Sequence, residues 1–125
     1  MLKRILIVDD EEAILFSYGK LLQGTFVEVD TCNNLEDAIH MMKAGAYDAV
    51  ITDFRLSHSE SSEGLKILQN IKGNRPETPV IFITAYGSDE IREKILSLGA
   101  HRYFDKPVHI SEIIECLKTL GIPVN

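Results

Sequence analysis

The sequence predicts an α/β fold: an open, doubly wound parallel sheet with five helices on its two faces. Two observations carry this. Five strand-type segments alternate strictly with five helix-type segments along the chain, and parallel strands joined by helices cross over right-handed, which leaves few other arrangements. The central strand segments are also continuous apolar runs, the pattern of strands covered on both faces.

The elements follow in order. "RILIV" (4–8), "DAVIT" (48–52) and "PVIFIT" (79–84) are the apolar, β-branched runs and are expected at the centre of the sheet. "FVEVDTC" (26–32) alternates and carries Glu28 and Asp30, as suits a strand nearer an edge, and "HRYFD" (101–105) is a short last strand. Between them the apolar period becomes helical. Ile14, Leu15, Tyr18, Leu21 and Leu22 form a first stripe before Gly24. Leu35, Ala38, Ile39 and Met42 form a second, opened by Asn33 or Asn34 with Glu36 in capping-box-like order and closed by Gly45. Leu65, Leu68 and Ile71 mark a third before Gly73 and Pro76. Ser88 caps a fourth carrying Ile91, Ile95 and Leu98, and Ile110, Ile113, Ile114, Leu117 and Leu120 form a fifth that Gly121 ends.

Composition narrows the function. At 125 residues the chain fits a single domain, 1–125, and buries roughly two thirds of its unfolded surface. A formal charge of −6 disfavours a nucleic-acid surface, which needs clustered Lys and Arg, and favours a cation or a basic partner patch. Cys32 and Cys116 make neither a disulfide framework nor a zinc site. The amino end meets Asp9 and Asp10 after too few apolar residues for a signal peptide or a membrane span, so the cytoplasm is the expected location.

In sheets of this class the site lies beyond the carboxyl ends of the strands. The first strand ends in "VDDEE" with Asp9 and Asp10, the third in "ITD" with Asp53, the fourth in "ITA" with Thr84 and Ala85, and the fifth runs into "DKP" with Lys106. Taken singly, these residues have ordinary uses as helix caps, turn formers or solvated charges. Gathered at one crevice they form a costly cluster, since two like charges about 4 Å apart repel by roughly 4 kcal/mol at an effective dielectric near 20. Lys106 offsets one carboxylate, and a hard divalent cation such as Mg²⁺ answers the others.

"ILIVDDEE", "ITD", "VIFITAYG" and "YFDKP", in that order and spacing, resemble the receiver domain of bacterial two-component response regulators over essentially the whole chain. The resemblance implies a flavodoxin-like sheet of order 2-1-3-4-5. It implies that Asp53 accepts a phosphoryl group from a phosphohistidine on a sensor histidine kinase or histidine phosphotransfer protein. It further implies that Asp9, Asp10, Asp53 and the main-chain carbonyl of Arg55 hold Mg²⁺, that Thr84 and Lys106 contact the phosphoryl group, that Thr84 and Tyr103 switch together, and that Lys106–Pro107 is cis. The physical reasons agree for the transfer, which needs alignment and charge neutralisation; for Tyr103 the ordinary alternative is a half-buried strand tyrosine that only packs.

The segment "FRLSHSESSEG" departs from the family pattern. It lacks the usual Pro and sets Gly64 three positions late, extending the loop over Ser57 to Glu63. His58, Glu60 and Glu63 there read as a solvated loop rather than a second metal site. Arg55 and Tyr86 are large residues near Asp53 and Thr84, from which slow self-dephosphorylation is expected.

Alternative readings are a receiver-like binding module without phosphotransfer and an enzyme of another class on the same architecture. A flavin-binding domain wants a Ser/Thr/Gly phosphate loop where this chain has "DDEE", and a dehalogenase-type phosphatase wants its second Asp two residues after the first. The chain reads either as a stand-alone receiver or as a domain of a larger regulator, "TAYG" resembling receivers of enhancer-binding regulators. Expected partners are the kinase, at a surface near Ile14 and Ser17, and a downstream effector or output domain. A phosphorylation-dependent homodimer is expected on the fourth helix, fifth strand and fifth helix, with no direct nucleic-acid or membrane contact.

Overall fold

Successive residues of a strand point to opposite faces, and in the computed structural model, which describes residues 2–56 and 62–124, both faces of the central strands are apolar and covered. The elements run β1 (Lys3–Val8), α1 (Glu12–Leu22), β2 (Val27–Cys32), α2 (Leu35–Ala44), β3 (Ala49–Thr52), α3 (Glu63–Asn74), β4 (Val80–Thr84), α4 (Asp89–Ser97), β5 (Arg102–Asp105) and α5 (Ile110–Thr119). The sheet has the order β2-β1-β3-β4-β5, with all four strand pairs parallel.

Leu6, Val8, Val50 and Phe82 face one core with Ala38 and Met42 of α2, Ile67 and Leu68 of α3 and Ile95 of α4. Ile5, Ile7, Ile51 and Ile81 face the other, with Leu15 and Leu22 of α1 and Ile113 and Leu117 of α5. The sheet is thus sandwiched between α2, α3 and α4 on one side and α1 and α5 on the other. Every residue of β3 and β4 is buried, which explains their unbroken apolar runs. β2 is an edge strand and leaves Thr31 in solvent.

The caps are chemical. The Asn34 side chain accepts the Asp37 N–H at 2.8 Å, and the Ser88 hydroxyl accepts the Ile91 N–H at 3.1 Å, each satisfying a donor that a helix start leaves unpaired. Gly99 (φ 103°) and Gly121 (φ 80°) follow α4 and α5 in the left-handed region that favours glycine.

Several local expectations are corrected. The carboxylate completing the α2 cap belongs to Asp37, whose Oδ2 accepts from Asn34 Nδ2 at 2.9 Å, and not to Glu36. Gly73 does not stop α3, which continues to Asn74. Leu21 is 51% exposed because α1 turns only Leu15, Tyr18 and Leu22 fully inward. Ile14 packs partly buried against the core, and the open face of α1 is presented by Phe16, with the Lys20 ammonium 4.9 Å from its ring centre. Among the described residues no helix is long and apolar enough to cross a membrane.

Candidate functional site

Main-chain hydrogen bonds carry the strand ladder one step beyond the strands and so fix the roots of the site. Asp9 N–H donates to Cys32 O (3.2 Å), Asp53 N–H to Val8 O (3.1 Å) and Lys106 N–H to Thr84 O (2.9 Å). Asp9 and Asp53 thereby stand on neighbouring strands at the carboxyl edge of the sheet, and Lys106 follows β5, one strand further on past β4. Gly64 closes the floor from the far side of the long loop. Its N–H donates to Phe54 O at 2.9 Å, and a methyl at this position would intrude on the Asp53 carbonyl oxygen.

The Lys106 ammonium lies 2.8 Å from Asp9 Oδ2, 2.8 Å from Glu11 Oε1 and 2.9 Å from Asp53 Oδ2. Asp9 and Asp53 are only 3% and 2% exposed. The second oxygens are also engaged: Asp9 Oδ1 accepts the Glu11 N–H at 2.9 Å and Asp53 Oδ1 the Arg55 N–H at 3.3 Å. Burial raises the Asp9 carboxyl above its ordinary value, outweighing the Lys106 and Glu11 hydrogen bonds that pull it down. Burial alone would lower Lys106, but its hydrogen bonds to Asp9, Glu11 and Asp53 prevail and hold the ammonium above the usual lysine range. The Lys106–Pro107 bond is cis, as expected.

Asp9, Asp10 and Asp53 each offer a carboxylate oxygen within 4.8 Å of the other two. One ammonium cannot balance this many carboxylates, and an all-oxygen donor set of this compactness fits a hard divalent cation of the Mg²⁺ type. The chemistry sits in this open crevice. A cavity of about 250 Å³ lined by Met42, Tyr47, Asn70 and Arg75 lies between the ends of α2 and α3 and contains none of the strand-end carboxylates.

Thr84 is fully buried at the end of β4, where its hydroxyl accepts the Tyr86 N–H at 3.1 Å. Tyr103 is half-buried against the α2–α4 core, and its hydroxyl donates to Asp105 Oδ1 at 2.7 Å. That hydroxyl occupies the space a side chain at position 87 would need, so Gly87 lets the Thr84–Ser88 turn close over Tyr103 in this orientation. Burial, then the Asp105 contact, raise the Tyr103 phenol.

Sequence reasoning missed two features. Glu11 joins the cluster although it follows the expected metal ligands; its place two residues after Asp9 is the only signal. The Arg55 guanidinium also stacks 4.8 Å from the ring centre of Tyr86, spanning the turns after β3 and β4, and Arg55 Nε is buried without a hydrogen-bond partner among the described residues. His58 and Glu60 of the extended loop lie outside the described residues, whereas Glu63 opens α3.

A five-stranded sheet of order 2-1-3-4-5 with an acidic crevice and an invading lysine defines a receiver-type signalling domain. The response regulator receiver domain family matches residues 5–118, and the chain belongs to that family of two-component signalling domains. It is 34% identical over 125 residues to the transcriptional regulatory protein PcoR of Escherichia coli, covering 95% of this chain and 51% of PcoR. A CheY-like response regulator receiver domain of Methanospirillum hungatei superposes with a TM-score of 0.86 at 30% identity, covering 97% and 95% of the two chains. The solution structure of the beryllofluoride-activated NtrC4 receiver domain dimer superposes with a TM-score of 0.85 at 28% identity, covering 95% and 96%. The chain therefore spans about half the length of the full regulator PcoR.

Proposed function

We propose that residues 1–125 act as one receiver domain in which Asp53 accepts a phosphoryl group from a phosphohistidine of a sensor histidine kinase or histidine phosphotransfer protein. The observation that carries this reading is the triple contact of Lys106 with Asp9, Glu11 and Asp53 beside three clustered aspartates. In the transfer a carboxylate oxygen of Asp53 forms a bond to phosphorus as the phosphorus–nitrogen bond breaks, and the imidazole leaves with the electron pair. Asp9, Asp10, Asp53 and the Arg55 carbonyl would hold Mg²⁺, which supplies positive charge to the transferring oxygens. Lys106 supplies a second positive charge, already aimed at Asp53 and kept protonated by its neighbours. Thr84, once its hydroxyl turns to a phosphoryl oxygen, loosens its contact with Tyr86 N–H and couples the site to the turn that packs on Tyr103.

The Arg55–Tyr86 pair supports a long phosphoryl lifetime, because a stacked cation and ring two residues after Asp53 and Thr84 add bulk that an attacking water must pass. Tyr86→Ala should shorten that lifetime about two- to fivefold, the equivalent of an exposed cation–π contact. Phosphate release from the wild-type phosphoprotein within seconds would refute the slow cycle.

The expected setting is cytoplasmic, with a downstream effector or output domain as the recipient of the switch. The α4–β5–α5 face is the proposed output and homodimer surface; the structural relative NtrC4 forms a beryllofluoride-activated receiver dimer. Kinase docking falls on α1, where Phe16, 67% exposed, is a cleaner probe than the partly buried Ile14.

The decisive experiment adds Mg²⁺ and beryllofluoride to wild type and Asp53→Ala and follows tyrosine fluorescence and size-exclusion elution. A saturable Mg²⁺-dependent change lost in the variant is expected. An unresponsive wild type that also fails to bind Mg²⁺ would favour a binding module without phosphotransfer.

A further inference from the structure

We infer that Glu11 is a resting-state restraint on Lys106: its carboxylate occupies the N–H that a phosphoryl oxygen on Asp53 must take over. The inference rests on the reading of Asp53 as phosphoacceptor. An ammonium has three N–H donors, and Lys106 spends them on Asp9 Oδ2 (2.8 Å), Glu11 Oε1 (2.8 Å) and Asp53 Oδ2 (2.9 Å). A phosphoryl oxygen arriving at Asp53 finds every donor in use, so one bond must yield.

Burial decides which. The Asp9 side chain is 4% exposed, so an oxygen released from Lys106 has no water to pass to and would depend on the cation site alone, which makes Asp9 the costlier partner to give up. Asp53 carries the incoming group and stays next to the lysine. The Glu11 side chain is 51% exposed, so its oxygen passes to water at little cost. Lysine suits the exchange, since its charge sits on a flexible stem with rotatable donors.

Among the described residues the Glu11 side chain has no partner but Lys106. It occupies the N-cap position of α1, where Ser, Thr, Asp or Asn would hydrogen-bond the first turn, yet its side chain makes no capping bond. Its N–H is anchored to Asp9 Oδ1 at 2.9 Å, so the side chain pivots from a fixed root. Glu12, one residue on, provides the contrast: its carboxylate accepts from Asn33 Nδ2 at 3.3 Å and belongs to the exposed flank of α1.

The test compares wild type, Glu11→Asp, Glu11→Gln and Glu12→Gln. Glu11→Asp keeps the charge but withdraws the reach. Beryllofluoride is titrated at saturating Mg²⁺ by tyrosine fluorescence, and the Lys106 ammonium is observed by ¹⁵N NMR in metal-free protein. Glu11→Asp should bind beryllofluoride about two- to fivefold tighter, the range of an exposed ion pair, Glu11→Gln at least as tightly, and Glu12→Gln like wild type. The Lys106 resonance should move in both Glu11 variants and stay in Glu12→Gln. Unchanged or weaker binding in Glu11→Asp overturns the proposal, as does equal tightening in Glu11→Gln and Glu12→Gln, which would mark a bulk charge effect. A wild type without saturable binding is a different result: it removes the phosphoacceptor reading, and this inference with it.

Discussion

Two clusters, one at each end of the sheet, set long cations among several carboxylates, yet they are built to opposite purposes. At the carboxyl end Lys106 faces Asp9, Glu11 and Asp53, with Asp10 beside them. Nearer the other end Arg4 bonds Asp30 at 2.9 Å, lies 3.6 Å from Glu28 and stacks 4.7 Å from the ring centre of Tyr47. Tyr47 in turn donates to Asp30 at 2.6 Å, and Asp48 receives the Arg4 N–H at 2.8 Å while pairing with Lys3. Lys3 and Arg4 nearly balance their three acids, and every member is partly open to solvent. The Lys106 cluster has a buried heart in Asp9 and Asp53 and carries surplus negative charge. A planar guanidinium locks one geometry, whereas an ammonium can be re-aimed. The Arg4 cluster is structure; the Lys106 cluster is stored demand for positive charge.

The largest predicted effect separates them. Asp53→Asn should abolish the Mg²⁺-dependent beryllofluoride response and leave urea stability unchanged or about 1 kcal/mol higher, because it relieves repulsion among close carboxylates. The same chemical change at the other end, Asp30→Asn, should lower stability by about 1 kcal/mol, the worth of a partly exposed ion pair with its tyrosine bond, and leave beryllofluoride affinity intact. A loss of stability in both variants would erase the distinction.

A subtler contrast appears at alkaline pH. Burial and the Asp30 contact raise the Tyr47 phenol. A folded-state value above the unfolded one of about 10 means a contribution that is fully present below about pH 10 and lost as pH rises through the folded value. Tyrosinate absorbance at pH 10 to 11 should therefore be lower in the native than in the unfolded protein, with stability falling over the same window. In Asp30→Asn the Tyr47 titration should move back towards its ordinary value; an unmoved titration would mean that burial alone sets it.

The sheet and its site edge were legible because period and strand endings are local facts. Ile5 to Val8, Val50 and Ile51, and Ile81 to Ile83 alternate between two apolar cores and so had to read as unbroken runs, and the residues that end those strands land together at Lys106. What escaped the sequence depends on reach rather than position. Glu11 joins Lys106 across 95 residues, and Arg55 meets Tyr86 between two turns; nothing in either neighbourhood announces the partner. Leu21 fitted the apolar stripe of α1 but lies past the width that α1 buries. Gly73 is a weak helix former that packing of Ile71 carried through.

The close fit of Gly87 over the Tyr103 hydroxyl also bears on how this chain can evolve. A side chain at 87 and a hydroxyl at 103 compete for one volume. The order of substitutions then matters: loss of the whole ring, as in Tyr103→Ala, opens room that Gly87→Ala can afterwards occupy, Tyr103→Phe keeps the ring carbon that a methyl at 87 would still meet at 2.7 Å, and the reverse order passes through a clashing intermediate. The two positions are bound into a single inherited unit, and a lineage that trims the tyrosine gains freedom in the turn that covers it.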